Sequence, residues 1–224
     1  KHSLSTTVTD AAGNTSAHSA STEFTVDTSG AGVIVLETVT DHVGTLQGVL
    51  QPGQTTDDTQ PEFAGRATAN SLVKIYANGT LVASVTAGTD GKWSVKVGAA
   101  LTDGTYDITA TTTTPASGES KPTEPFTLTV DTTAPDVSTN ETVTDHVGAV
   151  TGQVEAGGVT DDAAPVFSGK AEPGAIVTIF DGDKAIGSTV VDADGTWRYR
   201  PTESLADGKH SLSTTVTDVA GNTS

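Results

Sequence analysis

Residues 209–224 read KHSLSTTVTDVAGNTS and repeat residues 1–16, KHSLSTTVTDAAGNTS, with a single difference between Ala11 and Val219. Such self-similarity is the mark of a repeat architecture and takes precedence over any local pattern. Shorter motifs recur at half that separation, a period of 104 residues: ETVTDHVG begins at residues 37 and 141, TVDT at 25 and 129, and TDD at 56 and 160. The chain is therefore a tandem array.

The period divides the chain into three parts. Residues 1–27 are predicted to be the C-terminal strands of a preceding repeat, residues 28–131 a complete repeat (repeat two), and residues 132–224 a repeat lacking its last strand (repeat three). We expect the window to be cut from a longer array. An unpaired sheet edge invites pairing with another chain, and residues 1–27 carry the matching strand. We therefore predict head-to-tail strand complementation between chains.

Within each repeat the pattern is all β. Apolar residues alternate in residues 126–130 and 210–217, and turn pairs such as Asn78-Gly79 separate the strands. About seven short strands in about 100 residues predict an immunoglobulin-like β-sandwich. The expected core comprises Phe63, Val73, Ile75, Trp93, Val95, Ile108, Phe126 and Leu128 in repeat two, and Phe167, Val177, Ile179, Trp197, Tyr199, Leu212 and Val216 in repeat three. The alternative for the two tryptophans is a carbohydrate-stacking surface, but their place at the start of alternating strands favours the core.

Composition argues against several classes of function. The chain has 28 Asp and Glu against 11 Lys and Arg, a net charge of −17, which would repel the phosphates of a nucleic acid. It has no cysteine for disulfides or zinc–thiolate sites. No apolar run approaches the roughly 18 residues of a membrane span. G-x-S-x-G, H-E-x-x-H and P-loop motifs are missing, so we predict no enzymatic activity.

Carboxylates concentrate at the turns and at the junction between repeats. Threading the strands through a sandwich brings together Asp58, Asp103, Asp131, Asp136 and Asp218 at the joint between repeats two and three. Packed carboxylates repel one another unless a cation neutralises them. Oxygen ligands without cysteine favour Ca²⁺ over zinc or copper. The alternative is that aspartate serves these positions as a turn residue and that the charge maintains solubility.

Taken together, the motifs resemble a known family. The order and spacing of six segments are similar to the bacterial Ig-like extender repeats of giant, type I-secreted RTX and biofilm-associated adhesins, and the repeat length resembles that of the ice-binding member. The segments are DTTAPD (131–136), VTDHVG (143–148), TDDAAPVFSGKAEPG (160–174), DADGTW (192–197), LADG (205–208) and TVTDVAGN (215–222). The resemblance implies an extracellular array of β-sandwiches, stiffened by Ca²⁺, that projects a ligand-binding tip from the cell.

The resemblance also implies ligands. The junction Ca²⁺ ligands of the family fall on Asp131, Asp136 and Asp218, and further ligands fall on Asp57, Asp58, Asp161 and Asp162. Repeat two departs from the pattern at its upper end, where residues 27–32 read DTSGAG and Thr114 replaces the aspartate found at Asp218. The family pattern therefore does not carry a Ca²⁺ site over to that junction.

Two functions of different class follow. The first is a structural spacer whose partners are the neighbouring repeats of its own chain. The second is a set of repeats that themselves bind a carbohydrate, a protein or ice, the last through the Thr109, Thr111 and Thr113 row. A binding module needs an exposed aromatic groove, apolar patch or flat threonine array. A spacer needs only tight joints.

Overall fold

The computed structural model describes residues 2–24, 32–114 and 118–224. Every regular secondary-structure element in those ranges is a β-strand, as the alternating sequence pattern predicts. No helix in the described part of the chain is long and apolar enough to cross a membrane.

The first segment forms an exposed two-stranded hairpin. Strand β1 (His2–Leu4) pairs antiparallel with β2 (Thr22–Phe24). Between them, the chain returns through a tight loop at residues 10–14 and an isolated bridge between Thr9 and Thr15. Leu4 and Phe24 are 59% and 45% exposed, so the hairpin buries little apolar surface. Isolated two-stranded hairpins are marginally stable in water.

Repeat two is a sandwich of two sheets. One has the strand order β4-β3-β6-β9 and the other β5-β11-β10-β7-β8, and all pairs are antiparallel except β5 with β11. Its strands are β3 (Ile34–Asp41), β4 (Gly48–Val49), β5 (Thr55–Thr56), β6 (Glu62–Ala67), β7 (Leu72–Ala77), β8 (Thr80–Thr86), β9 (Lys92–Lys96), β10 (Gly104–Thr113) and β11 (Phe126–Val130). The Asn78-Gly79 turn joins β7 to β8 with positive φ angles of 49° and 77°, the geometry that favours Asn-Gly in hairpins.

Repeat three repeats this arrangement with fewer strands in its second sheet. The sheets have the orders β13-β12-β14-β17 and β16-β15-β18. The strands are β12 (Thr139–Asp145), β13 (Gly152–Val154), β14 (Val166–Lys170), β15 (Ile176–Asp181), β16 (Lys184–Val190), β17 (Thr196–Tyr199) and β18 (Leu212–Thr217). Each sandwich encloses its own apolar core.

The predicted cores are confirmed. In repeat two, Val95 and Phe126 are half-buried and pack against the core, and the other six predicted core residues are buried. In repeat three Tyr199 and Leu212 are the half-buried members. Trp93 and Trp197 are 5% and 2% exposed, so both lie in the cores and neither offers a stacking surface for a sugar.

A corner motif of immunoglobulin-like sandwiches recurs in both repeats with different chemistry. Tyr106 donates its hydroxyl proton to the carbonyl of Thr102 at 2.8 Å, the bond that ties a tyrosine corner to the chain just upstream. His210 occupies the equivalent position in repeat three: its Nε2 lies 2.8 Å from the Ala206 carbonyl oxygen, and its Nδ1 lies 2.7 Å from Asp181 Oδ2. Both oxygens are acceptors, so the protonated imidazole satisfies both contacts.

Candidate functional site at the joint between repeats

The upper end of repeat three presents a tightly capped loop, residues 218–222, called here the plug loop. The Asp218 carboxylate is buried at 5% exposure. Its Oδ1 accepts hydrogen bonds from the backbone N–H groups of Ala220, Gly221 and Asn222, and its Oδ2 accepts one from Asn222 Nδ2. An aspartate that satisfies several successive backbone donors fixes the shape of a turn.

The plug loop contacts the lower end of repeat two directly. Asp57 N–H donates to the Ala220 carbonyl at 3.2 Å, and Asn222 Nδ2 donates to the Asp131 carbonyl at 2.9 Å. Gly221 has φ +105°, and a Cβ built there would lie 3.3 Å from Leu46 N. Glycine therefore suits both the backbone conformation and the close approach. The two repeats meet through one main-chain hydrogen bond and one bond from a side chain to a main-chain carbonyl.

Two buried carboxylates brace the lower end of repeat two. Asp41 accepts from Val43 N–H at 2.8 Å and from the Thr56 hydroxyl. Asp58 accepts from His42 N–H at 3.1 Å and from Gln60 N–H at 2.8 Å. All four oxygens of these two side chains are thereby hydrogen-bonded.

Repeat three carries the same bracing at its own lower end. Asp145 accepts from Val147 N–H and the Thr160 hydroxyl, and Asp162 accepts from His146 N–H and Ala164 N–H. Asp162 Oδ1 also lies 3.8 Å from Arg200. Through these hydrogen bonds the aspartates stabilise turns, the role that the sequence offered as the alternative to metal binding.

Asp57 differs from its neighbours. Its Oδ1 is buried and has no hydrogen-bond partner in the described part of the chain. Burial raises the pKa of its carboxyl group, and the negative charges of Asp41, Asp58 and Asp218 raise it further. The side chain lies against Gly44, where φ is +66° and a Cβ would overlap the carboxylate. A buried carboxylate oxygen without a donor carries a free-energy cost unless it is protonated or meets a cation.

Other predicted ligands brace the linker between the repeats. Asp103 accepts from Thr132 N–H at 3.1 Å, from the Thr132 hydroxyl at 2.8 Å and from the Thr133 hydroxyl at 3.2 Å. Asp131 Oδ1 accepts from Thr133 N–H at 3.0 Å. These contacts hold the first linker residues against the end of repeat two.

Two further predicted ligands lie in repeat three. Asp136 lines a shallow depression on repeat three with Val137, Lys170 and Glu172. Asp161 lies against Gly148 as Asp57 lies against Gly44, at the lower end of repeat three beside Asp162. The structure thus groups Asp57, Asp58 and Asp218 with Asp41 around the joint, and adds Asp131 through its carbonyl.

The side chains alone do not form a ready-made metal cage. Across residues 2–24, 32–114 and 118–224, no group of three or more His, Cys, Asp or Glu side chains stands in an arrangement that could hold a metal ion. Most oxygens of Asp41, Asp57, Asp58 and Asp218 already accept hydrogen bonds from backbone or side-chain donors. The departure predicted at the upper end of repeat two falls largely on residues 25–31, outside the described ranges.

Sequence reasoning missed the non-acidic members of the joint. Ala220 contributes a carbonyl, Gly221 a close approach, and Asn222 a side-chain bond to the linker. The signal was available, because D-x-A-G-N stands at residues 10–14 as well as at 218–222. In the first segment Asp10 accepts from Ala12 and Asn14 N–H in the same way. This loop is a recurring unit of the array.

The surfaces required by the alternative function do not form where the sequence suggested them. Thr111 is only 6% exposed, and its hydroxyl donates to Glu119. Glu119 also accepts from Tyr76 at 2.7 Å and lies 3.3 Å from Lys74 Nζ. The Thr109, Thr111 and Thr113 row is therefore partly covered and is not a flat exposed array.

The family model of the bacterial Ig-like domain matches residues 36–132 and again residues 137–224. One match covers most of each repeat, and residues 133–136 of the linker lie between the two matches. No curated protein matches the chain significantly.

Three of the solved structures that match the chain have low sequence identity to it. A biofilm associated protein, BSP domain, is 20% identical with a TM-score of 0.28, over 77% of this chain and 27% of the other. The chicken CNTN1 FN1–FN3 domains are 13% identical with a TM-score of 0.43, over 96% and 69%. The human OSCAR ligand-binding domain is 13% identical with a TM-score of 0.34, over 75% and 86%. The chain spans about a quarter of the length of the biofilm associated protein, and none of the three likenesses bears on function.

Proposed function

Because the chain belongs to the bacterial Ig-like domain family over both repeats, we propose that it is part of the extender region of a large bacterial surface adhesin. In this role the repeats are structural: they hold a distal ligand-binding region away from the cell. Direct main-chain contact between the repeats supports a stiff connection. The strongly negative net charge favours solubility of an extracellular array, and export through type I secretion is what the resemblance to RTX adhesin repeats implies.

We further propose that Ca²⁺ rigidifies the joint. The observation that supports this is Asp57, whose buried Oδ1 has no donor among the described residues while three further carboxylates surround it. Asp57 and Asp218 would hold the ion from the two sides of the joint, with Asp58 and Asp131 in support. A bound divalent cation neutralises the joint and opposes bending between neighbours.

Calcium is the ion that best fits these donors. Carboxylate and main-chain carbonyl oxygens are its usual ligands, and it accepts irregular coordination. Mg²⁺ demands near-ideal octahedral geometry and keeps its waters. Extracellular modules bind Ca²⁺ with dissociation constants on the order of 10⁻⁴ to 10⁻³ M, so a partly formed site is enough for function outside a cell.

A matched pair of variants tests the proposal. Asp57→Asn removes the charge at the joint, and Asp161→Asn makes the same change at the equivalent position of repeat three. Thermal unfolding is followed in chelator, in Ca²⁺ and in Mg²⁺. We expect Ca²⁺ to raise the midpoint of the wild type and of Asp161→Asn, because a ligand that binds only the folded state stabilises it. In chelator Asp57→Asn should be more stable than the wild type, since it removes a half-buried negative charge that lies near three others.

Two results would count against calcium at this site. One is an equal Ca²⁺ response in the wild type and Asp57→Asn. The other is a response that Mg²⁺ reproduces in full. In either case the proposed spacer role would still be supported by the contact between the repeats. The proposal that Ca²⁺ stiffens the joint would be wrong.

A further inference from the structure

The cations of this chain concentrate on one face of each repeat. The sheets concerned have equivalent strand orders, β4-β3-β6-β9 in repeat two and β13-β12-β14-β17 in repeat three. Trp93 of β9 and Trp197 of β17 point into the cores, so the residues on either side of them point outward. Six of the 11 Lys and Arg residues lie on the last two strands of these sheets or directly after them: Arg66, Lys92, Lys96, Lys170, Arg198 and Arg200. A chain with a net charge of −17 thus carries a cationic face.

The acid that neutralises this face in repeat two is directed elsewhere in repeat three. In repeat two Arg66 Nε lies 3.3 Å from Glu37 Oε1. The equivalent acid of repeat three is Glu141, whose Oε1 accepts a hydrogen bond at 2.6 Å from the hydroxyl of Thr214, a residue of the other sheet. Strands β14 and β17 contain no Asp or Glu. Lys170, the equivalent of Arg66, therefore lacks the ion pair that repeat two has.

A backbone irregularity in β12 accounts for this difference. In repeat two Leu36 pairs with Gly65 of the neighbouring strand. In repeat three the equivalent position is Asn140, and the pairing of β12 with β14 passes directly from Thr139 to Thr142. Asn140 has a φ of +53°, in the left-handed region that asparagine adopts more readily than most residues. A bulge of this kind re-aims side chains, and the glutamate that follows Asn140 points to the other sheet.

The bulge borders an open depression on the cationic face. Its volume is about 420 Å³, and its polar lining includes Asn140, Ser168, Lys170, Thr196 and Arg198. Ligand sites in proteins typically enclose roughly 300–1,000 Å³. Among the described residues, Lys170 and Arg198 have no ion-pair partner, and the Asn140 side chain has no hydrogen-bond partner. The depression thus presents two cations and an amide that are available to a ligand.

Acids border the depression on one side. Lys170 also lines the adjoining depression that contains Asp136 and Glu172. Asp194, in the turn before β17, accepts hydrogen bonds from the N–H of Thr196 at 2.9 Å and from its hydroxyl at 2.6 Å. These bonds lower the pKa of Asp194, and the positive charge of Lys170 lowers it further. The side of the depression toward Arg198 is therefore the one that favours a negative charge.

The lining favours an acidic saccharide over other anionic partners. A guanidinium binds a carboxylate through two parallel hydrogen bonds, and an ammonium binds it as a point charge. Amide and hydroxyl side chains such as those of Asn140 and Ser168 hydrogen-bond to sugar hydroxyls. A single-stranded nucleic acid would stack its bases on exposed aromatic residues, but Trp197 is only 2% exposed and is the one aromatic residue in the described lining. A protein partner would cover an apolar centre, whereas this lining is mostly polar.

We propose that the depression of repeat three binds a polysaccharide that carries carboxylate groups, such as a polyuronate. Lys170 and Arg198 pair with its carboxylates, and Asn140 and Ser168 hydrogen-bond to its hydroxyls. Exposed ion pairs are weak and are screened by salt, so the affinity of one site is low and falls as the salt concentration rises. This binding adds a contact with surrounding glycan to the proposed spacer role, and it does not depend on Ca²⁺ at the joint.

A titration followed by heteronuclear NMR tests the proposal, because it detects weak binding and locates it. The probe is oligogalacturonate, and its fully methyl-esterified form is the uncharged counterpart. We expect the charged oligomer to shift the amide resonances of β12, β14 and β17, and the ester to leave them in place. Lys170→Gln/Arg198→Gln should weaken binding by roughly two- to thirtyfold, the scale of two exposed ion pairs. Arg66→Gln/Lys92→Gln removes the same charge from the equivalent strands of repeat two and should leave the affinity unchanged.

Several results would overturn the proposal. One is the absence of any shift with oligogalacturonate at low salt, and another is an equal loss of affinity in the two double variants. An affinity for the oligomer that does not change with salt concentration would contradict the ion pairs. Polyglutamate and single-stranded DNA are the competing classes of polyanion. Binding of either one as tightly as oligogalacturonate would overturn the assignment of the site to a saccharide.

Discussion

Replacing Asp218 by alanine removes the carboxylate that shapes the plug loop, and the structure gives the scale of the effect. That carboxylate accepts three backbone N–H bonds and one from Asn222 at 2.8–3.0 Å, at 5% exposure. A hydrogen bond to a charged group contributes roughly 1.5–3 kcal/mol. The four are not additive, because the loop relaxes and water replaces part of the set. We expect a loss of roughly 2–4 kcal/mol in the free energy of unfolding of repeat three.

The assay is differential scanning calorimetry with a matched control. For a domain of about 100 residues, 1 kcal/mol corresponds to a midpoint shift of about 4–8 °C, so a loss of roughly 2–4 kcal/mol in Asp218→Ala should lower the repeat-three transition by roughly 8–32 °C. Asp10→Ala removes the same cap from the same loop in the exposed first segment and should leave that transition unchanged. An Asp218→Ala transition within error of the Asp10→Ala control would refute the assignment of Asp218 as the structural cap of the joint.

Three further predictions follow from other contacts. The Asp181 hydrogen bond raises the pKa of His210, so the stability that this bond contributes is fully present below about pH 6.5 and is lost as pH rises through the raised pKa. His210→Tyr should remove this pH dependence from the urea unfolding of repeat three. The Ser138 hydroxyl accepts the buried indole N–H of Trp197 at 2.9 Å, so Ser138→Ala should cost about 1–3 kcal/mol in chemical denaturation, and no loss would contradict that role. Hydrogen bonding lowers the pKa of Glu119 to about 2, so the stability that this carboxylate contributes is present above its ordinary pKa and is lost as pH falls toward 2. Glu119→Gln should therefore weaken the fall in the free energy of unfolding of repeat two at acidic pH, and an unchanged fall would contradict this role.

Repetition and alternation made the fold predictable from the sequence. With a period of 104 residues, the fold of one repeat predicts the fold of the next. Apolar residues at every second position, such as Val73 and Ile75 or Phe126 and Leu128, assign those side chains to the core face of their strand. Strand pairing then follows from the short turns. The histidine at the tyrosine-corner position was not predicted, because residue identity shows nothing of the carbonyl and carboxylate that His210 contacts.

The joint was predictable only in outline. Threading the strands predicted Asp58 and Asp218 at one joint; in the structure they follow β5 and β18, whose loops meet through the Asp57 N–H bond to Ala220. It did not reveal that their oxygens accept backbone N–H bonds, since a capping aspartate and a ligating aspartate look alike in sequence. Nor did it single out Asp57, whose distinction is a missing donor. Asp136, also expected there, lines a depression on repeat three together with Lys170 and Glu172.

The central claim, that Ca²⁺ stiffens the joint, is tested most directly by a distance across it. Ser84 and Ser188 are exposed equivalent positions in the two repeats, and the cysteine-free chain allows spin labels at Ser84→Cys/Ser188→Cys alone. Pulsed electron paramagnetic resonance then gives the distribution of label separations in chelator, in Mg²⁺ and in Ca²⁺. We predict a distribution that narrows in Ca²⁺ alone and that stays broad when Asp57→Asn is added. A distribution of the same width in chelator and in Ca²⁺ would contradict the account.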